Sequence, residues 1–343
     1  MIEVDGSFGE GGGAILRVSV GLAAALKTPV AVRNIRANRP NPGLRAQHLT
    51  GILACTELTG GEVEGAAVGS KEVVFKPGGG WKKHLNVSVG TAGAATLVLQ
   101  SLMIPASLAG EESVVEVSGG TDVAWSPPAD YLKNVTLPVL GKCGIQNRLE
   151  VLRRGYYPAG GGKLRLTMKP SGKKRLEVNE RGRLLSVCGI SHAHEGLKVK
   201  EVAERQKKSC RKTLFDGLGK LGLEGAKIDL DVEYSDATSF GSGIVLWAQF
   251  ENTVLGADAL GEKGKRAEDV GREASESIMS ELASNAPVDK YMADQLMPYI
   301  ALFGGSVRVP SLSAHAETNI WVARKFGANV SFEGGVIRAE PLR

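Results

Sequence analysis

The sequence predicts a mixed α/β protein of the α+β kind: a large domain of three repeated βαβαββ-type units, interrupted by a small inserted α/β domain. Three observations carry that expectation. Strand, glycine turn and helix recur in series, first as "MIEVDGS", "FGEGGG" and "AILRVSVGLAAALKT". Hairpin-like strand pairs separate these units, too many for a purely parallel sheet. The texture then changes near residue 184, where a charged, turn-prone run, "KPSGKKRLEVNERGRL", reads as a domain junction. The expected division is 1–183 and 284–343 for the large catalytic domain and 184–283 for the insert.

Taken in order, "PVAVRNI" reads as the second strand, and the basic stretch "RANRPNPGLR" leads into a helix, "AQHLTGILACTELTG". Strands follow at "EVEGAAVGS" and "EVVFKPGG". A second unit opens with "LNVSVGT", the helix "AGAATLVLQSLMIPASLAG" and the strand "SVVEVSGGTD", then the helix "PADYLKNVTLPVLGKCG" and the strand pair in "QNRLEVLRRGYYPAGGGKLRLTMKP". Copies of the unit are expected to start near residues 1, 84 and 285. In the insert, "LLSVCGISHAH" reads as a strand. An amphipathic helix follows with Val199, Val202, Ala203, Cys210, Leu214 and Leu218 on one face. "AKIDLDVEYSD" and "GIVLWAQFENTVLGADAL" read as strands, and "AEDVGREASESIMSELAS" as a helix. At the end of the chain, "SLSAHAETNIWV" places His315 just before an expected β-rich run.

Of 343 residues, 43% are hydrophobic and 23% charged. That composition fits a soluble globular protein. No apolar run reaches the roughly 20 residues of a membrane span, and the N-terminus lacks a signal-peptide pattern; a cytoplasmic location is expected. Cys55, Cys143, Cys188 and Cys210 include no C-x-x-C pair, which argues against a disulfide scaffold or zinc ribbon. A formal net charge of +5 is compatible with nucleic acid without being diagnostic of it. The 45 glycines cluster in turns, which suit close backbone approach to a phosphate or simply tight connections.

"GEGGGA" formally fits G-x-G-x-x-A between a strand and a helix. The acidic residue that a dinucleotide fold wants about 20 positions later is missing from "AVRNIRANR". A Walker loop is absent. Glu10 in the glycine turn can ligate Mg²⁺ bridging phosphates, and Arg17 lies two turns along the same helix. Arg36, Arg39 and Arg45 crowd a loop stiffened by Pro40 and Pro42, either suited to phosphate oxygens or an ordinary basic loop; Gln47 and His48 follow. "SGGTDVAWSPPADY" carries Asp122, and its Pro127 and Pro128 also serve as a helix-start device. "RRGYYPAGGG" is a loop for phosphate or base, or a plain crossover. Lys198, Lys200, Arg205, Lys207, Lys208, Arg211 and Lys212 form an RNA footprint or a solvated face. His192 and His194 share one face of a strand, with no third metal ligand in view.

Together, "DGSFGEGGGAILR", "RANRPNPGLRAQHL", "GTAGAATLVLQ", "VSGGTDVAWSPPADY", "RRGYYPAGGG", "YMADQL" and "SAHAETNI" resemble the RNA 3'-terminal phosphate cyclase family nearly end to end. The resemblance implies a body similar to that of carboxyvinyl transferases. It also implies ATP-dependent conversion of an RNA 3'-phosphate to a 2',3'-cyclic phosphodiester, a ligase reaction. His315 would attack the α-phosphorus of ATP and become adenylylated; AMP would pass to the RNA as RNA(3')pp(5')A; the 2'-hydroxyl would then expel AMP. Phosphate and metal contacts would fall on Glu10, Arg17, Arg39 and Gln47 with Gln100 nearby, Glu10 holding Mg²⁺ or Mn²⁺. The nucleotide pocket would be Pro127, Tyr291, Asp294 and Gln295, with Tyr291 and Pro127 flanking adenine and Asp294 near the ribose. A histidine must be neutral to attack, as most free imidazole is at pH 7. Ala14 departs from the family's usual "GEGGGQ". The competing readings are a non-catalytic RNA-binding or ribosome-assembly relative, which lacks the histidine, a carboxyvinyl transferase, and a plain RNA-binding protein. Oligomeric state is left open by the sequence.

Overall fold

The computed structural model describes residues 1–342. The first unit is β1 (Ile2–Asp5), α1 (Gly13–Leu26), β2 (Val30–Arg33), α2 (Ala46–Thr59), β3 (Glu62–Glu64) and β4 (Val73–Lys76). Its sheet has the order β1-β2-β4-β3, with one parallel pair and two antiparallel ones. The second unit repeats it with β5 (His84–Ser88), α3 (Ala95–Ala106), β6 (Ser113–Gly119), a helical stretch, β7 (Arg148–Arg153) and β8 (Gly162–Met168), in the order β5-β6-β8-β7. That stretch runs from α4 (Ala129–Tyr131) through a π turn (Leu132–Thr136) into α5 (Leu137–Gly141).

The third unit is split. Its first strand, β9 (Leu176–Val178), precedes the insert and pairs in parallel with β14 (Gly305–Arg308). Beyond the insert come α8 (Met292–Phe303), β14, α9 (Ala314–Lys325), β15 (Val330–Glu333) and β16 (Val336–Ala339), in the order β15-β16-β14-β9. The third copy therefore begins near residue 176, not 285, and the charged run expected as a junction contains its opening strand. Leu176 and Val178 are buried while Glu177 between them is exposed, a two-residue alternation that fits one buried face.

Between β9 and α8 lie β10 (Leu184–His194), a 3₁₀ turn (Glu195–Lys200), α6 (Val202–Lys220), β11 (Lys227–Ser235), β12 (Ser242–Phe250), β13 (Val254–Leu260) and α7 (Ala267–Ala283). Their sheet, ordered β11-β10-β12-β13, carries a separate hydrophobic cluster of residues from Leu184 to Leu282. Ala203, Cys210, Leu214 and Leu218 are buried along α6, but Val199 lies in the 3₁₀ turn and is 95% exposed.

In the other three units the helices pack on one another: α1 against α3 and α9, α2 against α3, α8 against α9. One large core joins all three units. No helix among the described residues is long and apolar enough to cross a membrane. Ala14 is buried in α1.

Candidate active site

Three contacts near helix starts join α1 with α9, α2 with α3 and α9 with α8. Glu10 lies in the turn before α1, and its Oε2 sits 2.9 Å from Nδ1 of His315, in the first turn of α9. The backbone N–H of Ala94, which caps α3, donates to Oε1 of Gln47 in the first turn of α2 (2.9 Å). Asn319 Nδ2 donates to the carbonyl of Asp294, in the first turn of α8 (2.9 Å). Helix N-termini present unpaired N–H groups and a partial positive charge, and together they suit phosphate.

The glycine turn is shaped for this approach. Gly9 has φ +56°, and a Cβ there would lie 2.6 Å from Thr318 Oγ1 on α9. At Gly13 a Cβ would run into the His48 ring. Helix α9 itself starts at Ser313, whose Oγ accepts from the backbone N–H of Ala316 (3.1 Å). That is an ordinary N-cap. The expected β-rich run after His315 is thus helical. Thr318, Ile320 and Val322 are buried on α9, and packing overrides their strand propensity.

Cations surround the turn. Arg39 Nη2 lies 3.3 Å from Glu10 Oε2. Arg17 has no ion pair within reach among the described residues; burial lowers its pKa, and the charge of Asp294 opposes that. Asp294 is pushed up to about 6 by burial, against the pull of Arg17 and then His315. His48 is pushed down to about 3 by burial and by Arg36, Arg17 and Arg45, so it stays neutral. Arg36 turns away: its Nη1 donates to the carbonyls of Asn41 (2.6 Å) and Gly43 (3.1 Å), stapling its own loop instead of offering a fork to phosphate. Arg17, Gln47 and His48 line a crevice between α1, α2 and α3.

The remaining candidates form a second group. Gln100 Nε2 donates to Gln295 Oε1 (2.8 Å), which also accepts from Thr136 (3.0 Å). Tyr291 is half exposed at the start of α8, and Pro127 lies in the loop before α4. Their two segments are joined through Tyr131, which donates to Asp289 (2.7 Å), whose carboxylate also accepts from the backbone N–H of Tyr291 (3.0 Å). No motif singles out Asp289 or Trp321. Glu10 offers a hard oxygen, Oε1, with no ion-pair partner among the described residues, which fits one ligand position of Mg²⁺.

Two expectations change elsewhere. His192 does have acidic neighbours, Asp122 and Asp130. The buried guanidinium of Arg154 reaches Asp122 (3.2 Å), Asp130 (2.7 Å) and Glu233 (2.7 Å). One guanidinium thus binds oxygens of three carboxylates, contacts that a metal at this group would have to displace. Burial and Arg154 press His192 down to about 3, and its Nδ1 meets Tyr156 Oη at 2.9 Å. Arg154 is therefore a joint between the segment after β7 and the insert, not a phosphate ligand. The cysteines are free; burial pushes Cys55 up to about 12 and Cys143 and Cys210 up to about 11. Such thiols are poor nucleophiles.

Residues 8–333 match the family model described as RNA 3'-terminal phosphate cyclase. The chain is 47% identical over 339 residues to the RNA 3'-terminal phosphate cyclase of Pyrococcus furiosus, covering 98% of this chain and 96% of that one. It is 46% identical over 344 residues to the protein of that name from Thermococcus kodakarensis (100% and 97% covered). With the one from Archaeoglobus fulgidus the identity is 45% over 340 residues (98% and 99%). Among solved structures, the enolpyruvyl transferase NikO from Streptomyces tendae aligns with 99% of this chain and 48% of its own, at 12% identity and a TM-score of 0.41, too low to bear on this chain.

Proposed function

This chain belongs to the RNA 3'-terminal phosphate cyclase family, and we propose that it closes RNA 3'-terminal phosphates to 2',3'-cyclic phosphodiesters at the expense of ATP, through a histidine–AMP intermediate on His315. The observation that carries the reading is the contact of His315 Nδ1 with Glu10 Oε2. A carboxylate there keeps the proton on Nδ1 and leaves the Nε2 lone pair for attack.

In the first step Nε2 attacks the α-phosphorus of ATP, the bond to the β-phosphate bridging oxygen breaks, and pyrophosphate leaves. Glu10 stabilises the positive charge the ring acquires, as a carboxylate does beside a histidine in other group transfers. Arg17, Arg39 and the helix N-termini meet the charge on the phosphates. A divalent cation, held by Glu10, would add charge neutralisation. An oxygen of the RNA 3'-phosphate then attacks the same phosphorus, the N–P bond breaks, and the imidazole is restored. Finally the adjacent 2'-hydroxyl attacks the 3'-phosphorus, loses its proton and releases AMP.

The adenosine half of ATP is assigned to Tyr291 and Pro127 beside adenine, Asp294 near the ribose and Gln295, while Gln47, with Gln100 nearby, is assigned to the phosphates. Residues 1–183 and 284–343 serve as the catalytic body and 184–283 as the inserted domain.

The test supplies a 3'-phosphorylated oligoribonucleotide, ATP and Mg²⁺. The expected product resists phosphatase, and one AMP and one pyrophosphate appear per end closed. A terminus that stays phosphatase-sensitive at every metal tried would return the chain to the RNA-binding reading.

A further inference from the structure

Beside His315, on another flank of α9, lies a groove of about 500 Å³ that the reaction so far leaves unused. That volume is within the range of about 300–1,000 Å³ common for small-molecule sites. Its floor is aromatic: Phe8 stacks on Trp321 with ring centroids 4.1 Å apart and planes 7° from parallel. Phe8 remains 40% exposed and Phe332, also lining the groove, 39% exposed. Glu10 lines it too, the same side chain that touches His315. The groove and His315 thus share Glu10 as a neighbour.

Charge is divided along the groove. Glu10 and Glu317 line the end toward the start of α9 and disfavour a phosphate there, whereas Arg324 lines it farther along the same helix. A second cation stands near that end. Lys325 Nζ lies 5.2 Å from the Trp321 ring centre, and Arg324 uses Nε and Nη2 on the carbonyl of Val330, with no partner for Nη1 among the described residues. A flat, neutral ring, followed by a phosphodiester for the cations, matches this arrangement.

We propose that the groove seats the 3'-terminal nucleobase of the RNA against the Phe8–Trp321 stack, with the next phosphodiester toward Arg324 and Lys325. This deepens the cyclase reading and rests on it. The terminal phosphate would then project past Glu10 toward His315. Phe8 and Trp321 are positioning residues for the acceptor end, not catalytic ones. Stacking on an aromatic surface tolerates any base, so the site would grip an end without selecting its sequence.

The test measures equilibrium binding of short 3'-phosphorylated RNAs, needing no turnover, and compares an ordinary terminal nucleotide with an abasic one. The wild type is expected to bind the base-bearing end about tenfold more tightly, the scale of one stacked base. Phe8→Ala and Trp321→Ala should each bring that ratio close to one, and Trp321→Phe should keep most of it. Phe8 is exposed enough that its replacement guards against a folding defect at Trp321. A wild-type ratio near one, or a ratio that neither alanine variant moves, overturns the proposal. It is equally overturned if the alanine variants lose affinity for ATP while keeping the ratio, since the groove would then hold the other nucleotide. Failure of the cyclase reading shows separately, as absent cyclisation with the ratio intact.

Discussion

Nδ1 of His315 and Oε2 of Glu10 stand 2.9 Å apart, joining the turn before α1 to the first turn of α9. The contact fixes the tautomer and holds the imidazole at the start of α9, close to the starts of α1 and α8. Replacing Glu10 with Gln keeps the volume but removes the charge that stabilises an imidazolium. Adenylylation by Glu10→Gln should fall on the order of 100-fold or more, by analogy with other histidine–carboxylate pairs. Single-turnover rates measure it, and a loss under about threefold would mean that Glu10 is a bystander.

Gly9 offers a second check, through backbone geometry. At φ +56°, with Thr318 Oγ1 2.6 Å from where a Cβ would be, Gly9→Ala meets both strain and a clash. The expected cost is roughly 1–3 kcal/mol, seen as a lower melting temperature, with slower adenylylation because Glu10 is the next residue. Gly69→Ala, also at positive φ (+83°) but with open space around it, should lower stability alone.

Asp258, on β13, is pushed up to about 7 by burial and by the neighbouring charges of Asp122, Asp289 and Glu273, against Lys290. A raised acid binds its proton more tightly in the folded chain. Its contribution is present in full below the unfolded value near 4 and is lost as pH rises through 7. Asp258→Asn should therefore raise stability at pH 8 by roughly 2 kcal/mol and change it little at pH 4. Urea unfolding at the two values decides; an equal effect at both would show that titration is not the cause.

On α6 of the insert, Arg205 is already paired with Glu268, whereas Lys207, Lys208 and Arg211 have no ion pair among the described residues. Lys198, in the turn before it, lies over the Tyr234 ring. If RNA crosses this face, replacing the three unpaired cations with Ala should weaken binding and reduce the slope of log K against log salt by about 2. An unchanged slope would take the insert out of the RNA path.

Local signals were legible where chemistry and chain run together. The glycine turn, the basic loop and the lone histidine all stand out, and the α6 stripe is visible from Ala203 to Leu218. What sequence order hides is pairing across distance. Strand β9 is three residues set in a charged run, and it exists because Leu176 meets Gly305 on the far side of the insert. Val199 fits the helical period but lies in the 3₁₀ turn that precedes α6, outside the buried stripe. Arg154 looks like a phosphate ligand until Asp130, before the π turn, and Glu233, from the insert, close on it. The partnership of Glu10 with His315 has no spacing rule at all.

The central claim is that His315 carries AMP. Incubation with ATP labelled at the α-phosphorus and Mg²⁺, then a denaturing gel, tests it most directly. The wild type is expected to give a labelled band that is acid-labile, alkali-stable and chased by a 3'-phosphorylated oligonucleotide, and His315→Ala none. Label retained in His315→Ala, or absent from the wild type at any metal and pH, would contradict the account.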